Sequence, residues 1–154
     1  MYIGKVEKGG PVMDTQEAMK EALGIIEKSR HCLLSTNVAD GLPGVRVMSN
    51  RKYEGIKDIW FKTETSSRKV QQLEKDNRVC LCYLDNEMER ELILEGYMEI
   101  LQDLESKKML WQEGDEKFSP QGVDDPGTTI LHFRAVRGEY IDALQNHDVT
   151  FDIE

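Results

Sequence analysis

The sequence predicts a mainly β protein: a six-stranded antiparallel barrel, closed or split, with flanking helices. Two observations lead to that class. Six stretches show the alternation or the aromatic and β-branched enrichment of strands, while helical spacing occurs only between them. Most strands in succession are linked by short turns carrying glycine or charge, which makes hairpins rather than βαβ crossovers. At 154 residues the chain is most economically one domain, 1–154, long enough to bury a substantial core.

Taken in order, Gly9-Gly10-Pro11 punctuates the start. DTQEAMKEALGIIEKS then predicts a helix, with Asp14 and Glu17 at capping-box spacing and Ala18, Ala22, Ile25 and Ile26 forming an apolar stripe. HCLLSTNV, VRVMSN and DIWFKT follow as strands separated by ADGLPG and by the turn at Tyr53-Glu54-Gly55. They read as a meander that sets VRVMSN beside DIWFKT. A short helix containing Val70 and Leu73 precedes the strands RVCLCYLD and ELILEGYMEIL, which are joined through NEMER. A helix from Leu104 to Gln112, the loop EGDEKFSPQGVDDPG, the strand TTILHFRAVRGEY and an acidic tail complete the chain.

Composition narrows function. A net charge of −9 argues against a nucleic-acid or anionic-membrane binder, which needs a basic face; a local basic pocket would instead select a small anion. No run approaches a membrane span, and MYIGKVEKGGPVMD lacks the apolar core of a signal peptide. Three cysteines, an odd number, suggest no disulfide framework, so a reduced, cytoplasmic chain is expected. Cys80 and Cys82 are read as packing residues and no metal site is expected, for lack of companion ligands.

One stretch conflicts with ordinary helix design. In KTETSSRKVQQLEKD the cations Arg68 and Lys69 fall in the first helical turn. There exposed N–H groups already supply partial positive charge, and misplaced charge costs about 0.3–1 kcal/mol each. Solvated side chains would tolerate that cost. Alternatively, a phosphate held by the helix start, by hydroxyls of Thr63, Ser66 or Ser67 and by the two cations would remove it. Arg46, opposite in facing to Val45 and Val47 on its strand, is a third cation needing an anion or several acceptors.

The series VRVMSN, DIWFKT and TSSRKVQQLEKDNRVCLCY resembles the FMN-binding split barrel of the pyridoxamine phosphate oxidase superfamily, in particular its shorter general-stress-protein branch. The likeness is strongest from Ile25 to Leu101. It implies a Greek-key-like barrel, FMN as cofactor, and a homodimer with flavin at the subunit interface. It further implies that Arg46, Arg68 and Lys69 hold the FMN phosphate, joined by Thr63, and that Lys62 lies beside the cofactor; Ser67, whose hydroxyl stands at the same helix start, is expected among the cofactor-binding residues. Val47, Met48, Ser49 and Asn50 would run beneath the isoalloxazine ring. Glu91 stands where the oxidases place a glutamine against the flavin, and either borders the ring or is simply exposed on its strand.

The substrate half of the pattern is missing. The helix LESKKMLWQEG lacks the Tyr and Arg pair, the chain ends DVTFDIE without Arg-x-His, and the tryptophan expected in RGEYIDA is replaced by Ile141 or served by Tyr140. The expected function is thus a flavin-dependent oxidoreductase with a small-molecule electron donor and acceptor, and not pyridoxamine phosphate oxidation. Non-enzymatic flavin binding or redox sensing is the alternative, as is a barrel for deazaflavin or for haem, the latter ligated by His31, His132 or His147. His132 and Arg134 share a face of the last strand, either lining a cleft or exposed to solvent. Trp60 and Trp111 are expected in the core or an interface.

Overall fold

A computed structural model describes residues 12–154; the Gly9-Gly10-Pro11 punctuation and most of the N-terminal stretch lie outside them. Helix α1 (Thr15–Lys28) begins at Asp14, whose carboxylate accepts the Glu17 amide at 2.8 Å, and buries Ala18, Ala22, Ile25 and Ile26 as its spacing dictates. Strands β1 (His31–Asn37), β2 (Pro43–Ser49), β3 (Lys52–Glu54) and β4 (Asp58–Glu64) precede helix α2 (Arg68–Lys75). Then come β5 (Arg78–Asp85), β6 (Arg90–Leu101), helix α3 (Leu104–Leu110), β7 (Thr128–Asp142) and β8 (His147–Asp152).

All the strands belong to one antiparallel sheet in the order β2-β1-β5-β6-β7-β4-β3, with β8 on β7. Its two ends, β2 and β3, are separated in sequence only by Asn50 and Arg51. Two residues cannot span an open sheet of seven strands, given about 4.8 Å between neighbours, so the sheet must curl until its ends meet. The step is pinned on both sides: the Asn50 amide donates to Arg30 O at 3.1 Å, and the Arg51 amide to Trp60 O at 3.0 Å. Tyr83 Oη donates to Asn50 Oδ1 at 2.9 Å, and Asn50 Nδ2 to Ser29 O at 3.2 Å. This is the split barrel expected from the sequence.

The expected meander is corrected here. VRVMSN does not pair with DIWFKT: β2 pairs with β1, and β4 lies between β3 and β7. The chain changes sheet edge at Asn50-Arg51 instead of turning back. Two further strands also join the expected six. The turn region contains β3, and the acidic tail forms β8, where Val149 and Phe151 alternate with Asp148, Thr150 and Asp152.

Curling also requires a bulge. The β6–β7 register shifts between Glu95 and Gly96, and an added Cβ at Gly96 would stand 2.0 Å from Arg134 O. Only glycine permits that approach. The main core fills the barrel with Leu34, Ile59, Phe61, Leu81, Leu92 and Phe133 among others, and α1 caps one side. Trp60, Leu110 and Ile130 form a smaller cluster under α3, so Trp60 is a packing residue.

Candidate functional site

The end of β4 delivers Lys62 and Thr63, and only three residues separate Glu64, its last residue, from the start of α2 at Arg68. That turn is fastened rather than free. The Thr65 amide donates to Gly127 O at 2.9 Å, Thr65 Oγ1 donates to Pro126 O at 2.8 Å, and the Ser67 amide donates to Glu64 O at 3.1 Å. The first turn of α2 is therefore held against the last residues of the loop 113–127. Between them lies a cavity of about 320 Å³ lined by Arg51, Lys62, Thr63, Ser67, Lys69 and Phe118, among others.

The helix start that borders this cavity differs from the other two. Helices α1 and α3 are capped by aspartates, Asp14 and Asp103, each accepting a backbone amide. Helix α2 has Ser67 at its N-cap, no side-chain cap bond, and no acidic residue in its first turn. Ser67 Oγ is buried and has no hydrogen-bond partner among the described residues. A buried hydroxyl without a partner is costly, by about 1–3 kcal/mol. Lys69 Nζ donates to Thr63 Oγ1 at 3.0 Å.

Arg46 reaches the same helix one turn further along, at Gln72. It shares the inner face of β2 with buried Met48, while Val45 and Val47 point outward and are exposed. Its guanidinium reaches α2 through Gln72 and does not line the cavity itself. Its charge is nevertheless felt at Lys69. Burial first, and then Arg46, push the Lys69 ammonium below the ordinary lysine range, against a smaller opposing pull from Glu64. Burial lowers Arg46 likewise. Among the described residues no carboxylate stands within ion-pair distance of Arg46, Arg68 or Lys69, whereas Arg51, Lys62, Arg78, Arg90 and Arg137 all have one. Arg68 is exposed.

Sequence reasoning missed the far wall. Asp115 is buried and pairs with Arg51 at 2.6 Å and with Lys62 at 3.2 Å; Lys62 Nζ also stands 5.0 Å over the Trp111 ring. Burial pushes the Asp115 carboxyl up, but the bonds from Arg51, Gln112 N and Lys62 outweigh it and hold the group below the usual range. Asp125 accepts the Gln121 and Gly127 amides at 3.0 and 2.8 Å, and its carbonyl accepts from buried Lys107 at 3.0 Å. Loop length was the available signal: a stretch of such length inside a compact fold is usually functional or disordered.

The remaining expected residues fall elsewhere in the chain. Met48 is buried, Asn50 anchors the edge crossing, and Val47 and Ser49 face outward. Glu91 is exposed on β6, in register with Leu84 and Ile141, apart from the cavity. Tyr140 belongs to the core, which leaves Ile141 on the outer face. Cys80 and Cys82 lie half-exposed on the outer face and not in the core; burial pushes the Cys80 thiol up to about 11. His132 is not solvent-exposed: it stacks on Trp60 with centroids 4.3 Å apart and bonds Asp58 through Nε2 at 2.7 Å. Arg134 is exposed.

Fold and cavity together define a split barrel with a cation-rich pocket at a helix start. The profile of the family described as pyridoxamine 5′-phosphate oxidase like matches residues 17–153. The chain belongs to that family. A crystal structure of a protein from Clostridium acetobutylicum, related to general stress protein 26 of Bacillus subtilis, is 37% identical. It superposes with a TM-score of 0.79, covering 92% of this chain and 97% of that one. Two more distant structures share the fold. An FMN-binding protein from Nostoc punctiforme is 15% identical, with TM-score 0.62 and coverage of 93% and 98%. A heme-binding protein from Mycobacterium smegmatis is 15% identical, with TM-score 0.66 and coverage of 88% and 57%. No functionally curated protein matches the chain.

Proposed function

We propose that the chain is an FMN-binding, flavin-dependent oxidoreductase working as a homodimer in the cytoplasm. Arg46, Thr63, Ser67, Arg68 and Lys69 hold the phosphate and Lys62 lies beside the cofactor. Bound FMN supplies the redox chemistry, passing electrons between a small-molecule donor and acceptor. The protein's part is binding, orientation and electrostatics. A single observation carries the reading: in a protein of net charge −9, half-buried Arg46 and Lys69 have no carboxylate partner among the described residues. A phosphate of nearly two negative charges meets that need, and the open hydroxyl of Ser67 offers it a donor.

The rest of the site assists. Lys62 is fixed beside the cavity by Asp115 and the Trp111 ring. Half-buried Asn50 and the backbone of Val47, Met48 and Ser49 are offered to the ring, and Glu91 joins the site only where a second copy adds its own face. Dimerisation has separate support. Val47, Leu33, Cys82 and Ile93 lie in register across β2, β1, β5 and β6, with Val47 62% exposed on an edge strand. Such an edge is ordinarily covered. Haem finds less support: His132 turns Nε2 to Asp58 at 2.7 Å and Nδ1 toward Glu99 at 3.7 Å.

The test is the absorbance spectrum of the purified protein with chemical identification of the released cofactor. A flavin spectrum and FMN on release are expected, from a particle of twice the chain's 17.7 kDa. Protein that is colourless and takes up no FMN, or that shows a Soret band, would refute the assignment.

A further inference from the structure

Arg46 is held in an unusually specific way, and the holding leaves a definite part of it unused. Nη1 donates to Thr36 Oγ1 at 2.7 Å, with Leu34 O at 3.2 Å and Gly44 O at 3.4 Å as further acceptors. Nη2 donates to Gln72 Oε1 at 2.8 Å. The two holders are themselves joined, since Thr36 Oγ1 donates to the same Gln72 Oε1 at 2.7 Å. Thr36 is buried on β1 and Gln72 is half-buried on α2, so the guanidinium ties sheet to helix. A guanidinium is a rigid plane with two forks. Here Thr36 and Gln72 close the fork formed by Nη1 and Nη2. The other fork, Nε–H with the second Nη2–H, has no acceptor among the described residues.

Gly44 is part of the same device. A Cβ built there would stand 2.9 Å from Arg46 Nη2 and 2.9 Å from Val38 Cγ2. A side chain there would press on both the guanidinium and Val38, so glycine leaves the guanidinium its place.

We propose that Thr36, Gln72 and Gly44 are positioning residues for Arg46, presenting its open fork to two oxygens of the ligand's phosphate. The proposal rests on the phosphate reading above and adds to it which residues aim the arginine. Two parallel bonds from a planar fork are geometrically demanding, and a fork held in advance loses less freedom on binding than a mobile one. Lys69, one turn before Gln72 on α2 and held by Thr63, contributes charge without that directional requirement.

The experiment compares dissociation constants for FMN and riboflavin, which differ only in the phosphate, by flavin fluorescence. The chains compared are wild type, Thr36→Val, Thr36→Ser, Gln72→Met and Gly44→Ala, each with its melting curve. Thr36→Val, Gln72→Met and Gly44→Ala are expected to weaken FMN about tenfold, leave riboflavin within about twofold, and melt cooperatively. Thr36→Ser, which keeps the hydroxyl, restores FMN binding. Equal losses for the two ligands would reduce these residues to packing and overturn the proposal. Should wild type prefer FMN and the variants keep that preference, positioning alone fails; a wild type indifferent to the phosphate overturns this proposal together with the phosphate site.

Discussion

At the scale of single residues, a cation without a partner is the informative object. Burial removes part of the water that would stabilise it, and Arg46 adds repulsion, so Lys69 releases its proton more readily than an ordinary lysine. The unfolded chain therefore binds that proton more tightly than the folded one. Without ligand, charged Lys69 is a penalty present at neutral pH, and the penalty is relieved as pH rises from the lowered folded value toward the ordinary lysine range. A bound phosphate reverses the sign, because it stabilises the ammonium. The preference for FMN over riboflavin should then decline with rising pH, beginning below the lysine reference value of about 10.4. Titrating both ligands from neutral to alkaline pH measures this, since ionisation of the isoalloxazine ring is common to both and cancels. A ratio that stays constant throughout would remove Lys69 from the phosphate site.

Among the elements, β8 shows how an unpromising segment becomes structural. Its alternation is short and its residues acidic, but Phe151 is 5% exposed and joins the main core. Gly138, opposite it in register, has room for the ring because it carries no side chain. Phe151→Ala is expected to cost roughly 3–5 kcal/mol, a fall in melting temperature on the order of 10 °C. Thermal unfolding followed by circular dichroism decides it; a shift of a degree or less would mean that β8 contributes little to the core. Most elements were legible from pattern: α1 from its stripe and cap, and β5 and β6 from alternation across a charged turn. Strand β8 is legible in the spacing of Val149 and Phe151, but the acidic residues alternating with them resemble those of a solvated tail. The crossing at Asn50-Arg51 was not legible, because which strand a chain pairs with next depends on closure of the whole sheet.

For the whole molecule, curvature and charge act together. Closing the sheet brings β2, at one end, near the start of α2, which follows β4 at the other. This is how Arg46 and Lys69 come to feel one another despite their separation in sequence. The sequence points to the first-turn cations and to the hydroxyls of Thr63 and Ser67, because cations in a first turn contradict ordinary helix design; the structure sets Lys69, Thr63 and Ser67 on one cavity and leaves Arg68 exposed. The sequence does not point to Asp115, Phe118 or the fastened loop, since their role arises only when the loop folds back over Lys62 and Arg51. Among the described residues no helix is long and apolar enough to cross a membrane.

Isothermal titration of FMN and of riboflavin into the chain and into Arg68→Ala/Lys69→Ala tests the phosphate site most directly. The wild type should bind FMN about 100-fold more tightly than riboflavin, corresponding to roughly 3 kcal/mol from charge-assisted bonds. In the folded double variant, FMN should fall to within a few-fold of riboflavin, whose own binding changes little. Equal weakening of the two ligands, or a wild type that does not distinguish them, would contradict the site.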